Sequence, residues 1–179
     1  MNAGVNPRRL DAANGLETKL TPSEAFRFWR RVGLLLLAVL SHVPMHYLWR
    51  LLRLPSPWPR WFLGRAARTA GARVSTIGTP LRRDVFYVSN HLSWIDILAL
   101  GGASGTAFVA KAEIGEPPVV GWLAGLNRTV YVKRENRMGV AEQINQLREA
   151  LDENWAITVF PEGTTTDGKS LLPFKWTML

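Results

Sequence analysis

Beyond Arg83 the chain alternates between short apolar runs, rich in β-branched and aromatic residues, and longer stretches of helical pattern. The runs are DVFYVS (84–89), TAFVA (106–110), TVYVK (129–133) and WAITVF (155–160). Runs this short and this continuously apolar read as buried strands, and strands separated by helices pair in parallel. The pattern therefore predicts an α/β fold: a mainly parallel sheet covered by helices. Its clearest helix is expected over 138–154, where Val140, Ile144, Leu147 and Leu151 recur at helical spacing.

Parallel strands impose a rule on position. Residues just past their carboxyl ends share one rim of the sheet, where open α/β proteins build their sites. Here those residues are Asn90 and His91, then Lys111 and Glu113, then Arg134, then Pro161-Glu162-Gly163-Thr164. The segment VSNHLSWIDILAL sets Asn90, His91, Ser93 and Asp96 into otherwise apolar sequence. His91 and Asp96 are five apart across a loop entering a helix, so the carboxylate can fold back onto one ring nitrogen and leave the other as a base. Arg134 and Lys111 offer charge for a phosphate, and the Gly163-Thr164 turn offers backbone donors. The helix after His91 points its amino end toward the same space. Ser93 reads as a helix-start residue rather than a nucleophile, since no G-x-S-x-G elbow surrounds it. Glu113, Glu116 and Arg137 read as solvated charges.

The first half of the chain has a different texture. Of the charged residues, 14 Lys+Arg and 3 Asp+Glu lie between Met1 and Arg83, against 8 and 11 from Asp84 onward. Residues 1–20 are polar and aperiodic and read as a disordered tail. Thr21-Pro22-Ser23-Glu24 is a capping-box signal for a helix running to about Leu52. Its stretch from Val32 to Trp49, 18 residues, lacks any Asp, Glu, Lys or Arg. That is the lower limit for a span, and Pro44 and two histidines interrupt it, so the helix is expected to lie in the membrane surface, at the cytoplasmic face, rather than cross it. The three prolines of Pro55-Ser56-Pro57-Trp58-Pro59 break it, and a second basic helix follows over about Arg60–Ala70, stopped by Gly71. Arginines beside Trp29, Trp49, Trp58 and Trp61 suit an anionic membrane surface. Nucleic acid is not the expected partner, because phosphate tracking has no use for VGLLLLAVL between its arginines. His42 and His46 have ligand-like spacing but no carboxylate nearby, so no metal site is expected there. The chain has no cysteine, which excludes disulfides and thiolate metal sites. The domain division expected is 1–20, 21–71 and 72–179.

Taken in order, N-H-x-S-x-x-D at 90–96, FVAKAEI at 108–114, G-x-x-x-G leading to TVYVKRE at 129–135 and FPEGTTTDG at 160–168 resemble the first three motif blocks of the glycerolipid acyltransferases, the family of 1-acylglycerol-3-phosphate acyltransferase. The resemblance implies His91 as general base and Asp96 as its orienting partner. It implies Arg134, Glu162, Gly163 and Thr164 as acceptor head-group contacts, with Asn90, Ser93 and Lys111 around them. The reaction implied is direct attack by a lysophospholipid hydroxyl on the thioester of acyl-CoA or acyl-carrier protein, with no metal or other cofactor. Lysophosphatidate is the default acceptor and lyso-ornithine lipid the alternative. A non-catalytic membrane-binding fragment of the same fold is the reading from another class. Two departures stand out. The family has arginine where this chain has Thr165, and the chain ends at LLPFKWTML where a fourth, proline-containing block is expected. The acyltransferase domain is thus expected to be incomplete at its carboxyl end.

Overall fold

The computed structural model describes residues 20–132 and 156–174, together with Asn145, Arg148 and Glu149. The first helix, α1 (Pro22–Leu51), starts as its sequence dictates. Thr21 is extended (φ −68°, ψ 156°) and its hydroxyl accepts the Glu24 N–H, while the Glu24 carboxylate accepts the Thr21 N–H at 2.8 Å. Two of the amide donors that every helix start leaves open are thereby satisfied. Ala38, His42 and His46, four residues apart, form its buried stripe. His42 Nδ1 lies 2.8 Å from the Ala38 carbonyl oxygen, which can only accept, so that nitrogen carries the proton. The His42 ring packs edge-on against Trp58, and His46 Nδ1 bonds the Ser56 hydroxyl at 2.8 Å. Both histidines are thus packing residues that fasten α1 to the proline linker and to the next helix.

That helix, α2 (Trp58–Ala70), begins two residues earlier than its charge pattern suggests, because Pro59 falls in the first turn, where no amide donor is required. Gly71, at φ 101°, terminates it. Next come β1 (Val85–Val88), α3 (Ile95–Ser104), β2 (Ala107–Lys111), a 3₁₀ turn (Ala112–Gly115), α4 (Pro118–Leu126), β3 (Val130–Val132) and β4 (Ala156–Val159). The helix expected over 138–154 falls mostly outside the described residues.

The strands form one sheet in the order β1-β4-β2-β3, every pair parallel. It is flanked by helices. The last strand in sequence is therefore inserted between the first two, and all four of its residues are buried. Val109, Ile157 and Val159 pack together, with Val130 against them. Two buried hydroxyls sit in this core without an unmet donor: Thr158 donates to Thr106 at 2.9 Å, and Thr106 to the Ala156 carbonyl at 3.0 Å. β1 departs from the fully buried strand expected of DVFYVS. Val85 and Tyr87 are half-buried, but Phe86 and Val88, which point to the opposite face, are 45% and 55% exposed, so that face of β1 is open.

α3 crosses α2 at a pair of glycines. A Cβ built on Gly102 would come within 2.5 Å of Gly64 Cα, so the two backbones meet without side chains between them. This contact joins the N-terminal helices to the α/β unit.

Candidate active site

The register of the sheet decides which loops meet. Val88 of β1 is paired with Val159 of β4, and the Ser89 N–H continues the ladder to the Val159 carbonyl at 3.2 Å. His91 and Glu162 each lie three residues past that pair, and they come together at the rim. The His91 N–H donates to Glu162 Oε1 at 3.3 Å, and the His91 carbonyl accepts the Thr166 N–H at 2.8 Å. The peptide of His91 is held on both sides by the segment that follows β4.

The imidazole is fixed as firmly. Its ring stacks on Phe160, with centroids 4.1 Å apart and planes 22° from parallel. Asp96, in the first turn of α3, places Oδ2 at 3.0 Å from His91 Nδ1, 2.7 Å from the Leu92 nitrogen and 2.9 Å from the Ser93 nitrogen. A carboxylate has no proton to give and can only accept, so Nδ1 is the protonated ring nitrogen and Nε2 keeps its lone pair. The side chains of His91 and Asp96 remain 19% and 26% exposed, so the pair opens to solvent. The arrangement can take a proton from an alcohol brought to Nε2 and return it to a leaving group.

The other expected residues divide. Asn90 and Thr164 are exposed on the same loops, and Lys111 is exposed at the end of β2, on the same rim of the sheet. Ser93 accepts the Ile95 N–H at 3.2 Å, so its hydroxyl shapes the entry to α3 and engages one of the amide donors expected to face the site. Arg134 lies outside the described residues. Glu162 differs from the head-group contact expected of it. It is 1% exposed, and its second oxygen accepts the Leu172 N–H at 3.1 Å, so both oxygens are occupied by backbone and none faces an acceptor. Gly163 also differs, because its N–H closes the turn onto the Phe160 carbonyl at 2.9 Å instead of reaching outward. Phe160 escapes sequence reasoning altogether, since it reads as the last core residue of its strand. The signal available was its place directly before the polar P-E-G turn.

Comparison with known proteins agrees with this geometry. Residues 73–179 match the family model described as Acyltransferase. The chain is 39% identical over 145 residues, 76% of its length, to the lyso-ornithine lipid O-acyltransferase of Brucella abortus (strain 2308). It is 36% identical over 117 residues, 63% of its length, to the 1-acyl-sn-glycerol-3-phosphate acyltransferase of Neisseria meningitidis serogroup B. These matches cover 52% and 46% of the two relatives, so the chain spans about half their length. The crystal structure of the 1-acyl-sn-glycerophosphate (LPA) acyltransferase PlsC from Thermotoga maritima superposes with a TM-score of 0.52 at 27% identity, covering 68% of this chain and 49% of that one. A family match over more than half the sequence, on a parallel sheet with an Asp-held histidine at its carboxyl rim, identifies the chain as a member of the acyltransferase family that includes the lyso-ornithine lipid and 1-acyl-sn-glycerol-3-phosphate enzymes.

Proposed function

We propose that the chain carries the catalytic half-site of an O-acyltransferase that moves a fatty acyl group from a thioester, acyl-CoA or acyl-carrier protein, to the free hydroxyl of a lysolipid. The observation behind this reading is the His91–Asp96 pair at 3.0 Å, with Nε2 open at the rim. In the reaction, Nε2 takes the hydroxyl proton as the oxygen bonds to the thioester carbonyl carbon. The tetrahedral adduct then expels the thiolate, which recovers the proton from the imidazolium. An ester and a free thiol leave, and no acyl group is ever bonded to the protein.

Lyso-ornithine lipid is the acceptor we favour over lysophosphatidate. The Brucella relative, aligned over 76% of the chain, bears that name, and Thr165 leaves the P-E-G turn without a cation beside it. Lysophosphatidate is the second reading, supported by the Neisseria and Thermotoga relatives and by exposed Lys111 on the shared rim. α1 is long and apolar enough to cross a membrane by length and composition, and Leu36, Leu37 and Leu40 are exposed along it. Placing this helix in the surface of the cytoplasmic leaflet would bring the rim to substrates that already reside there.

The test is an acceptor panel with wild type and His91→Ala. Transfer to lyso-ornithine lipid, lost by about 10²–10⁴-fold in the variant, is the expected result. Transfer to lysophosphatidate alone would reverse the acceptor assignment. Equal thiol release by the two proteins would remove His91 from the chemistry and favour a membrane-binding module of the same fold.

A further inference from the structure

A cavity of about 550 Å³ lies between α1 and α2, lined by Ser41, Trp58, Arg60, Trp61, Arg65 and Arg68 among others. Its charge follows from helical spacing. Arg60, Gly64 and Arg68 recur every four residues along one face of α2, and the middle position is the glycine pressed onto Gly102. The close crossing leaves an arginine on either side of it along α2, and Arg65 joins them. No carboxylate lines the cavity. Among the described residues the ion pairs are His91–Asp96 and Lys169–Asp167, so none of these three guanidiniums has an acidic partner among them. Arg60 Nε donates to the Gly102 carbonyl at 3.2 Å, which orients its head group. Burial, and then neighbouring Arg82, holds that guanidinium below its ordinary range. Like charges gathered around a partly enclosed hollow repel one another until an anion enters.

We propose that this cavity binds the phosphate group of an anionic phospholipid, one molecule per chain. Forked guanidinium donors match the paired oxygens of a phosphodiester. Trp58 and Trp61 supply the indoles that sit at head-group depth. Trp58, which lines the cavity, also carries in Nε1 the buried side-chain polar atom left without a partner among the described residues. A lipid rather than a free ion is indicated by the surface that continues from the cavity. Leu37 lies one turn before Ser41, whose hydroxyl bonds the Leu37 carbonyl at 2.8 Å, and Leu48 lies two turns beyond. Both leucines are exposed, giving acyl chains an apolar track along α1. The cavity contains no residue of the His91 rim, so the site is separate from the acyl-transfer chemistry.

The experiment is native mass spectrometry of the full chain in detergent micelles, titrated with phosphatidylglycerol, phosphatidylcholine or inorganic phosphate. One phosphatidylglycerol should bind saturably, with phosphatidylcholine at least about ten-fold weaker and inorganic phosphate weaker still. Arg65→Gln with Arg68→Gln should weaken phosphatidylglycerol binding by about ten-fold or more. Arg27→Gln with Arg30→Gln removes the same charge from α1 outside the cavity and should change it by less than about three-fold. Circular dichroism melts confirm that each variant is folded. Equal weakening by the two pairs, binding of many lipids without saturation, or inorganic phosphate binding as tightly as the lipid would each overturn the assignment. His91→Ala should bind the lipid unchanged, which separates failure of this site from failure of the catalytic reading.

Discussion

Replacing Asp96 with asparagine keeps the side chain's size and removes its charge, so it isolates what the carboxylate contributes. Asp96 Oδ2 accepts from His91 Nδ1 at 3.0 Å and from the nitrogens of Leu92 and Ser93 at 2.7 and 2.9 Å. Hydrogen bonds to a charged acceptor contribute about 1.5–3 kcal/mol and neutral ones about 0.5–1.5, so the two backbone contacts together lose about 2–3 kcal/mol, and less for a side chain that solvent reaches. The effect on chemistry is larger. The imidazolium formed as the hydroxyl gives up its proton loses its counter-charge, worth about 1.5–3 kcal/mol, or about 10- to 150-fold in rate. If the amide turns its NH₂ toward Nδ1, the ring adopts the other tautomer and Nε2 is no longer a base. The expected result is a kcat lower by about 10²–10³-fold, with KM for either substrate within about three-fold of wild type. Thiol release from the acyl thioester is a clean assay, because the chain has no cysteine to react with the reporter. A variant that turns over within about three-fold of wild type, while losing the small stability increment measured in urea, would show that Asp96 only shapes the loop and would refute the dyad.

Glu162→Ala should be more damaging to the fold than Asp96→Asn, since it strips the acceptor from the His91 and Leu172 amides; we expect about 2–4 kcal/mol of lost stability by urea unfolding, and a loss below about 0.5 kcal/mol would exclude the tie. Gly102→Ala places a Cβ 2.5 Å from Gly64 Cα, backbone that cannot yield without parting α2 from α3, and should cost about 2–3 kcal/mol. Gly33→Ala is its counterpart within α1, with nothing within 4 Å of the new methyl, and should raise the melting temperature through a gain of about 0.5–1 kcal/mol. Thr165→Arg adds a cation to an exposed position beside the P-E-G turn and should raise the rate with lysophosphatidate relative to lyso-ornithine lipid; an unchanged ratio would remove this position from acceptor choice.

The α/β alternation and the rim residues were legible because both depend on local pattern. DVFYVS, TVYVK and WAITVF each contain the strand expected of them, TAFVA all but the last residue of its own, and the carboxylate five residues past His91 is the one that reaches its ring. What local pattern cannot carry is the order of the sheet. The order β1-β4-β2-β3 sets the last strand beside the first, a consequence of pairing at a distance rather than of composition. The burial of Glu162 has the same origin. A glutamate in a turn after a strand reads as solvated or ligand-facing, and the His91 amide, brought in from 71 residues away, joins the Leu172 amide in making it a buried acceptor. The early start of α2 is a smaller case, decided by proline's indifference to a missing donor in the first turn.

The partnership of Glu162 with His91 also sets a schedule for biogenesis. His91 and Asp96 emerge from the ribosome within five residues of each other, but the floor beneath them, Phe160 and Glu162, follows only 69 and 71 residues after His91. At about 5–20 residues per second, translation leaves an interval of several seconds in which the imidazole has neither stacking surface nor backbone clamp. The nascent chain therefore carries the His91–Asp96 pair for several seconds before the residues that hold the ring are made, and the delay is written into the order of the strands.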